Sequence, residues 1–437
     1  MEVNIIGAGL AGSEASYQLL KRGVKVNLYE MKPNKFTEAH KNPNFAELVC
    51  SNSLKSSNIG SACGLLKEEL RRLDSLLIKC ADKCAVPAGA SLSVDRNEFS
   101  EMVTRELKKF PNLKVIDKEV TSIDKSLPLI IATGPLTSEA LSKEIAKLIG
   151  SEYLYFFDAI APIISYDSID FDTAFFQDRY NKGEPDYINC PMEKDEYLAF
   201  YNELVSAETV KLHEFENSKV FEGCMPVEVL AKRGVDSLRF GPMKPVGLTD
   251  KQGRRPYAVV QLRKETKQND FYNMVGFQTN LTFGEQKRVF SMIPSLKNAE
   301  FLRYGTMHRN TYINAPTCLT KHFNLKNNDS IFFAGQISGV EGYVESIMSG
   351  LVCGLNMFNY LNSKPSIDFG LETMVGGICS YFETASKENF QPISANMGLL
   401  SNIAPKIKDK KEKGQIIAKI ALENIETIIR NNQILTY

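Results

Sequence analysis

The chain has 437 residues, 43% of them apolar and 24% charged, with a formal net charge of zero. Such a composition belongs to an ordinary folded protein long enough for two domains, and it excludes a disordered or fibrous class. With no global field to attract a nucleic acid, any RNA partner must be met by a local basic patch.

In chain order, Val3 to Ile6 predicts a strand. Helical spacing follows from Ser13 to Arg22, with Ala15, Leu19 and Leu20 on one face and Gly23 as the stop. Val24 to Glu30 alternates as a second strand. Residues 64–80 and 95–109 read as helices, Lys114 to Val120 and Leu129 to Ala132 as strands, and Ser138 to Ile149 as a helix. Residues 151–320 are richer in aromatics and short β-like runs such as Ala258 to Leu262. The earlier character returns with a strand at Ser330 to Ala334, a helix at Val344 to Leu361, and a charged helix within Pro405 to Arg430, whose lysines predict a solvated face. The expected fold is α/β. A Rossmann-type dinucleotide-binding domain is made of residues 1–150 and 321–437, and a smaller α+β domain is inserted at 151–320.

Nine cysteines fall at irregular spacings without a CxxC pair, and four histidines show no HxxxH spacing. Reduced thiols and no metal are expected. The N-terminus begins directly with a strand, and no run of about 18 apolar residues occurs. A cytoplasmic protein without a membrane span is the expectation.

Gly7-Ala8-Gly9-Leu10-Ala11-Gly12 is a GxGxxG motif between a strand and a helix. Gly7 suits the tight turn, Gly9 lets backbone approach a pyrophosphate, and Gly12 lets helix and strand pack closely. The helix N-terminus offers free N–H groups to phosphates. Glu30, at the end of the second strand, is placed to accept from ribose hydroxyls and disfavours a 2′-phosphate. This predicts FAD or NAD. Two later strand-to-glycine elements flank the inserted region, one ending at Thr133-Gly134 and one at Gly335-Gln336. The ordered set resembles glutathione-reductase-like flavoproteins, which points to FAD. In those proteins the last element approaches the ribityl chain and flavin ring; here Gln336 stands where Asp is frequent.

Cys50 ends an apolar run, Phe45 to Val49, before a polar turn and an expected helix. A helix N-terminus there would favour a thiolate, whereas a buried inert thiol is the plainer reading. Cys224 lies between Gly223 and Met225-Pro226 in an expected loop.

The stretches AELVCSNSLKS, GLLKEELRRLDS, FEGCMPVEVLAKRG, LRFGPMKPVGL, AVVQLRKE, VGFQTNLTFGEQKRVFSMIP, YGTMHRNTYI and GQISGVEGYVES closely resemble the folate- and FAD-dependent tRNA (uracil-5-)-methyltransferase family, TrmFO. The resemblance runs from residue 3 to about residue 400. It implies transfer of a one-carbon unit from 5,10-methylenetetrahydrofolate, through FAD, to carbon 5 of a uridine in RNA, with NADH or NADPH as reductant. By the same resemblance, Cys224 and Cys50 are the functional cysteines. Cys224 would attack carbon 6, which makes carbon 5 nucleophilic, and Cys50 would remove the carbon 5 proton. Tyr343 would stack on the flavin. Cys63 stands where a small apolar residue is expected and reads as a core residue. Family relatives act on the tRNA T-loop or on large-subunit ribosomal RNA, and no residue separates the two.

Candidate phosphate contacts are Lys232, Arg233, Lys251, Arg254, Arg255 and Arg263, with His308 and Arg309 for folate or phosphate. One rival is the related tRNA wobble-uridine modification enzyme, which would carry a further helical C-terminal domain. Another is a flavin-bearing RNA-binding protein without activity.

Overall fold

A computed structural model describes residues 1–37, 39–150, 154–159, 161–181, 185–210, 225–265, 271–388 and 390–436, with 154–159, 181 and 307–309 described by their backbone. A six-stranded sheet runs in the order Asn324–Leu325, Asn328–Phe333, Leu129–Ile131, Glu2–Ile6, Lys25–Glu30, Leu113–Asp117. All neighbours pair in parallel except the first hairpin. Val3, Ile5, Ile130, Ile131 and Phe333 have no exposed surface. Both faces of the central strands are covered, as a parallel sheet requires.

The glycine motif leads from Glu2–Ile6 into the helix Leu10–Leu20. That helix lies directly on the helix Tyr343–Leu361. A Cβ on Gly350 would sit 2.2 Å from the Ala11 carbonyl oxygen, so the two backbones touch where Gly350 has no side chain. The helix expected over 64–80 is two helices, Ala62–Arg72 and Leu76–Lys83. Asp74 adopts a left-handed φ of 64° and Ser75 caps the second helix, accepting from the Ile78 N–H. A left-handed residue followed by a cap ends one helix and starts another, and helical spacing of leucines on both sides hides the break. The last helix, Lys410–Asn431, buries Ile417, Ala418, Ala421, Leu422, Ile425 and Ile429 while Lys410 and Lys411 stay in solvent.

A second six-stranded sheet is antiparallel throughout, in the order Phe175–Phe176, Tyr187–Met192, Ala258–Lys264, Phe271–Met274, Ile163–Ser165, Phe301–Arg303. Buried apolar side chains gather in two clusters. One draws on Val3 to Ile145 and Tyr312 to Ile434, the other on Ile164 to Ala299. The antiparallel ribbon of Leu154–Ala159 with Met307–Tyr312 carries the chain out to the second cluster and back. Among the described residues no helix is long and apolar enough to cross a membrane.

Candidate active site

The glycine loop is built as its spacing demands. Gly7 has φ of 99°, and a Cβ there would lie 2.5 Å from the Ala132 carbonyl oxygen. A Cβ on Gly12 would lie 1.8 Å from the Gly7 carbonyl oxygen, so the helix rests on the loop itself. At Gly9 a Cβ would point into open space. That space is a cleft of about 1120 Å³ whose lining includes Gly7, Gly9, Leu10, Ala11, Glu30, Thr133, Gly134, Gly335, Gln336 and Tyr343. Ala8 and Gly12 lie buried behind it.

Glu30 has a further task that spacing does not reveal. Its two carboxylate oxygens accept from the backbone N–H groups of Ala8, at 2.9 Å, and Lys32, at 3.0 Å. The carboxylate therefore holds the loop's shape while facing the cleft, and each oxygen keeps a second lone pair for a ligand. Thr133 shares a hydrogen bond with Thr137 at 2.6 Å, and Gly134 turns with φ of 68°. Gln336 donates from Nε2 to Glu341 at 2.5 Å.

Cys50 follows Val49, which lines this cleft, and is half-buried in a segment held by several hydrogen bonds. The Ala46 N–H donates to the Ala8 carbonyl at 2.9 Å, which fastens the segment to the glycine loop. The N–H groups of Cys50 and Ser51 donate to the Tyr343 hydroxyl at 2.8 and 3.0 Å. Burial, chiefly, holds that phenol well above its ordinary range, so it stays neutral. Asn52 donates to the carbonyls of Val94 and Lys264.

The helix expected after Cys50 is not there. The strand Ser53–Ser56 follows, and the next helix begins at Ala62. Positive charge comes from three arginines instead. Arg96 donates to the carbonyls of Leu48 and Val49 and pairs with Glu265 through two contacts of 2.6 and 3.0 Å. Burial opposes its charge, but Glu265 outweighs that and raises its pKa. Arg263 donates to Asn52 and Ser51 at 3.1 and 2.7 Å. Arg303 donates to the Val49 carbonyl at 3.3 Å. Arg96, Glu265 and Arg303 lie far from Cys50 in the sequence, and only folding brings them to its turn.

Arg263 is thus buried at the Cys50 turn, which corrects its reading as a surface phosphate contact. Lys232, Arg233, Arg254 and Arg255 are exposed. Arg254 pairs with Asp250 at 3.2 Å and Glu193 at 3.4 Å, and Lys251 donates to the Phe171 carbonyl. Cys63 is half-buried rather than core, and burial pushes its thiol up. Cys224 lies outside the described residues, as do the side chains of His308 and Arg309.

A family model for glucose-inhibited division protein A matches residues 2–365. The methylenetetrahydrofolate–tRNA-(uracil-5-)-methyltransferase TrmFO of Listeria welshimeri is 55% identical over 427 residues, covering 98% of each chain. The chain belongs to the TrmFO family. The TrmFO of Bacillus pumilus is also 55% identical, over 98% of this chain and 99% of its own. The TrmFO of Halalkalibacterium halodurans is 54% identical over 98% of each. Among solved structures, Aquifex aeolicus GidA superposes with a TM-score of 0.68 at 15% identity, over 98% of this chain and 75% of its own. At that identity the likeness speaks for a fold that this TrmFO-family chain shares.

Proposed function

We propose that this protein methylates carbon 5 of a uridine in tRNA, the T-loop uridine in our reading, with 5,10-methylenetetrahydrofolate as carbon donor and NADH or NADPH as reductant. The observation that carries the proposal is the placement of Cys50 beside the dinucleotide cleft: its neighbour Val49 lines the cleft, its own N–H donates to Tyr343, and Ala46 of the same segment is bonded to the glycine loop, in a chain of the TrmFO family.

The cleft fits FAD. The helix Leu10–Leu20 has no side-chain cap and no acidic residue in its first turn, so its free N–H groups suit a pyrophosphate. The open space beyond Gly9 lets a phosphate come close. Gly335, Gln336 and Tyr343 line the same cleft and would meet the flavin end, with Thr133 and Gly134 along its length. Bound there, FAD supplies the one-carbon and hydride carrying between folate, nicotinamide and uridine.

The chain's own residues then have defined tasks. By the family resemblance, Cys224 contributes the thiolate that adds to carbon 6 of the uracil, since carbon 5 alone is a poor nucleophile. Cys50 takes the proton from carbon 5 at its Sγ. Arg96, Arg263 and Arg303 are all bonded to the turn that carries Cys50, so an anionic form would be met by positive charge. Tyr343 fixes the turn that carries it. Lys232, Arg233, Arg254 and Arg255 are exposed to meet phosphates. The uridine must leave its stack to reach the cleft. The cytoplasm is the expected place of action.

The test is incorporation of labelled carbon from methylenetetrahydrofolate into tRNA and large-subunit ribosomal RNA transcripts. Label in tRNA that disappears in Cys224→Ala is the expected result. Full activity in that variant would remove Cys224 from its role, and label confined to ribosomal RNA would overturn the tRNA target. Comparing NADH with NADPH in the same assay identifies the reductant.

A further inference from the structure

Beside Cys50 a second cavity of about 670 Å³ opens between the two apolar clusters, and Glu47 and Val49 wall both it and the dinucleotide cleft. Arg96, Glu265 and Arg303 form part of its lining. Most donors of the three arginines have a named acceptor. Arg96 spends its guanidinium on both oxygens of Glu265 and on two carbonyls. Arg263 gives Nε and Nη2 to Asn52 and Ser51. Arg303 gives Nη1 to the Val49 carbonyl, but its Nε and Nη2 are buried without an acceptor among the described residues.

Buried charged donors without acceptors are rare and ask for an explanation. Glu265 is held by Arg96, and Glu47, which lines the same cavity, accepts from the Lys41 and Asn42 N–H groups at one oxygen while its other oxygen makes no hydrogen bond to Arg303. The strand carrying Arg303 is irregular at this point: its pairing with Ile163–Ser165 shifts register between Phe301 and Arg303. Bulges of this kind re-aim a side chain and recur beside active sites. The atoms left open, Nε and Nη2, form one edge of the guanidinium, the edge that grips an oxygen with two N–H groups.

The position indicates which oxygen. Arg303 is bonded to the residue just before Cys50, and the two side chains lie within electrostatic reach of each other. In a uracil, carbon 5 is bonded to carbon 4, which carries O4. A base that offers carbon 5 to Cys50 brings O4 to the same wall.

We propose that the Nε and Nη2 groups of Arg303 bind O4 of the target uracil and stabilise the charge it takes when a thiolate adds to carbon 6. The inference rests on the reaction proposed above. In that step a sulfur lone pair forms the bond to carbon 6. The carbon 5–carbon 6 π pair shifts to carbon 5–carbon 4, and the carbonyl pair moves onto O4 as an enolate. No proton or electron is taken from elsewhere, and elimination of the thiolate returns both pairs. Donors fixed in advance at a developing oxyanion are the largest single aid to such additions.

The test compares wild type with Arg303→Met and Arg303→Lys in steady-state methylation and in covalent trapping by 5-fluorouridine RNA. FAD content serves as the folding control. The expected result is a fall in kcat of about 100-fold in Arg303→Met, with KM for RNA and for folate within about threefold of wild type. Trapping should slow in parallel, and added guanidinium should restore part of the rate. A raised KM for folate with kcat intact would assign the edge to a folate carboxylate and overturn the proposal. A raised KM for RNA with kcat intact would assign it to a phosphate, with the same consequence. Trapping at the wild-type rate would also overturn it. If Arg303→Met loses FAD, Arg303→Lys carries the same comparison, because it keeps the charge and drops the two-pronged edge. A wild type that methylates no RNA would sink the underlying reaction instead, so the two failures are told apart.

Discussion

Tyr343 is the residue whose meaning changes most once contacts are known. As an aromatic beside a flavin it suggests stacking. In the structure its hydroxyl receives two backbone N–H groups from a turn 293 and 292 residues away in sequence, and one of them belongs to Cys50. Phenylalanine would keep the ring and remove the acceptor, which separates the two roles. We expect Tyr343→Phe to bind FAD normally and to lose about tenfold or more in methylation, because two half-buried donors are left unpaired at about 1–3 kcal/mol each. Equal rates in the two proteins, measured at matched flavin content, would return the tyrosine to a stacking role alone. Glu30 offers the same lesson in milder form. Spacing places it by the ribose, while its bond to Ala8 shows that it also shapes the loop.

At the scale of elements, the site depends on two helices in backbone contact. Leu10–Leu20 presents its N-terminus to the cleft, and Tyr343–Leu361 delivers the hydroxyl that pins Cys50. Gly350 lets them meet, since a Cβ there would fall 2.2 Å from the Ala11 carbonyl oxygen. Gly350→Ala should therefore push the helices apart, cost about 1–3 kcal/mol, and weaken FAD retention through both helix ends. Gly284, in the helix Phe283–Phe290, is the matched control, because a Cβ there meets nothing within 4 Å. Gly284→Ala should be neutral or slightly stabilising. Urea titration with flavin fluorescence would measure both, and equal midpoints for the two variants would show that the helix contact is not rigid.

At the scale of the whole molecule, the reactive segment is a seam. Cys50 belongs to the part of the chain that feeds the first apolar cluster, yet its turn is bonded to Arg263 and to the Lys264 carbonyl of the second sheet. The pair of Arg96 and Glu265 closes that seam with side chains that are 15% and 3% exposed. Removing the carboxylate leaves a buried guanidinium without its partner, a loss of about 3–5 kcal/mol. Glu265→Ala should lower the melting temperature and loosen the junction, with limited proteolysis cutting between the clusters sooner than in wild type. Unchanged melting and cleavage would mean that the two clusters are joined chiefly by other contacts.

The strands of the parallel sheet apart from Asn324–Leu325, and the path of the first thirty residues, were legible without a structure, whereas the second sheet was foreseen only at Ala258 to Leu262. The glycine spacing, the alternation of Val24 to Glu30 and the helical periodicity between them express steric rules that act over a few residues. The split of the 64–80 helix was hidden because a left-handed Asp74 leaves no mark on apolar periodicity. The surroundings of Cys50 were hidden for a deeper reason. The charge near a thiol and the acceptors around a guanidinium depend on distance through space, and Arg96, Arg263, Arg303 and Tyr343 reach that turn from far along the chain. Local residue order by itself determined that this protein cradles a dinucleotide and carries a cysteine close after the motif. Only the tertiary structure decided that this cysteine sits among three arginines at the edge of the cradle, with one of them still holding two donors in reserve.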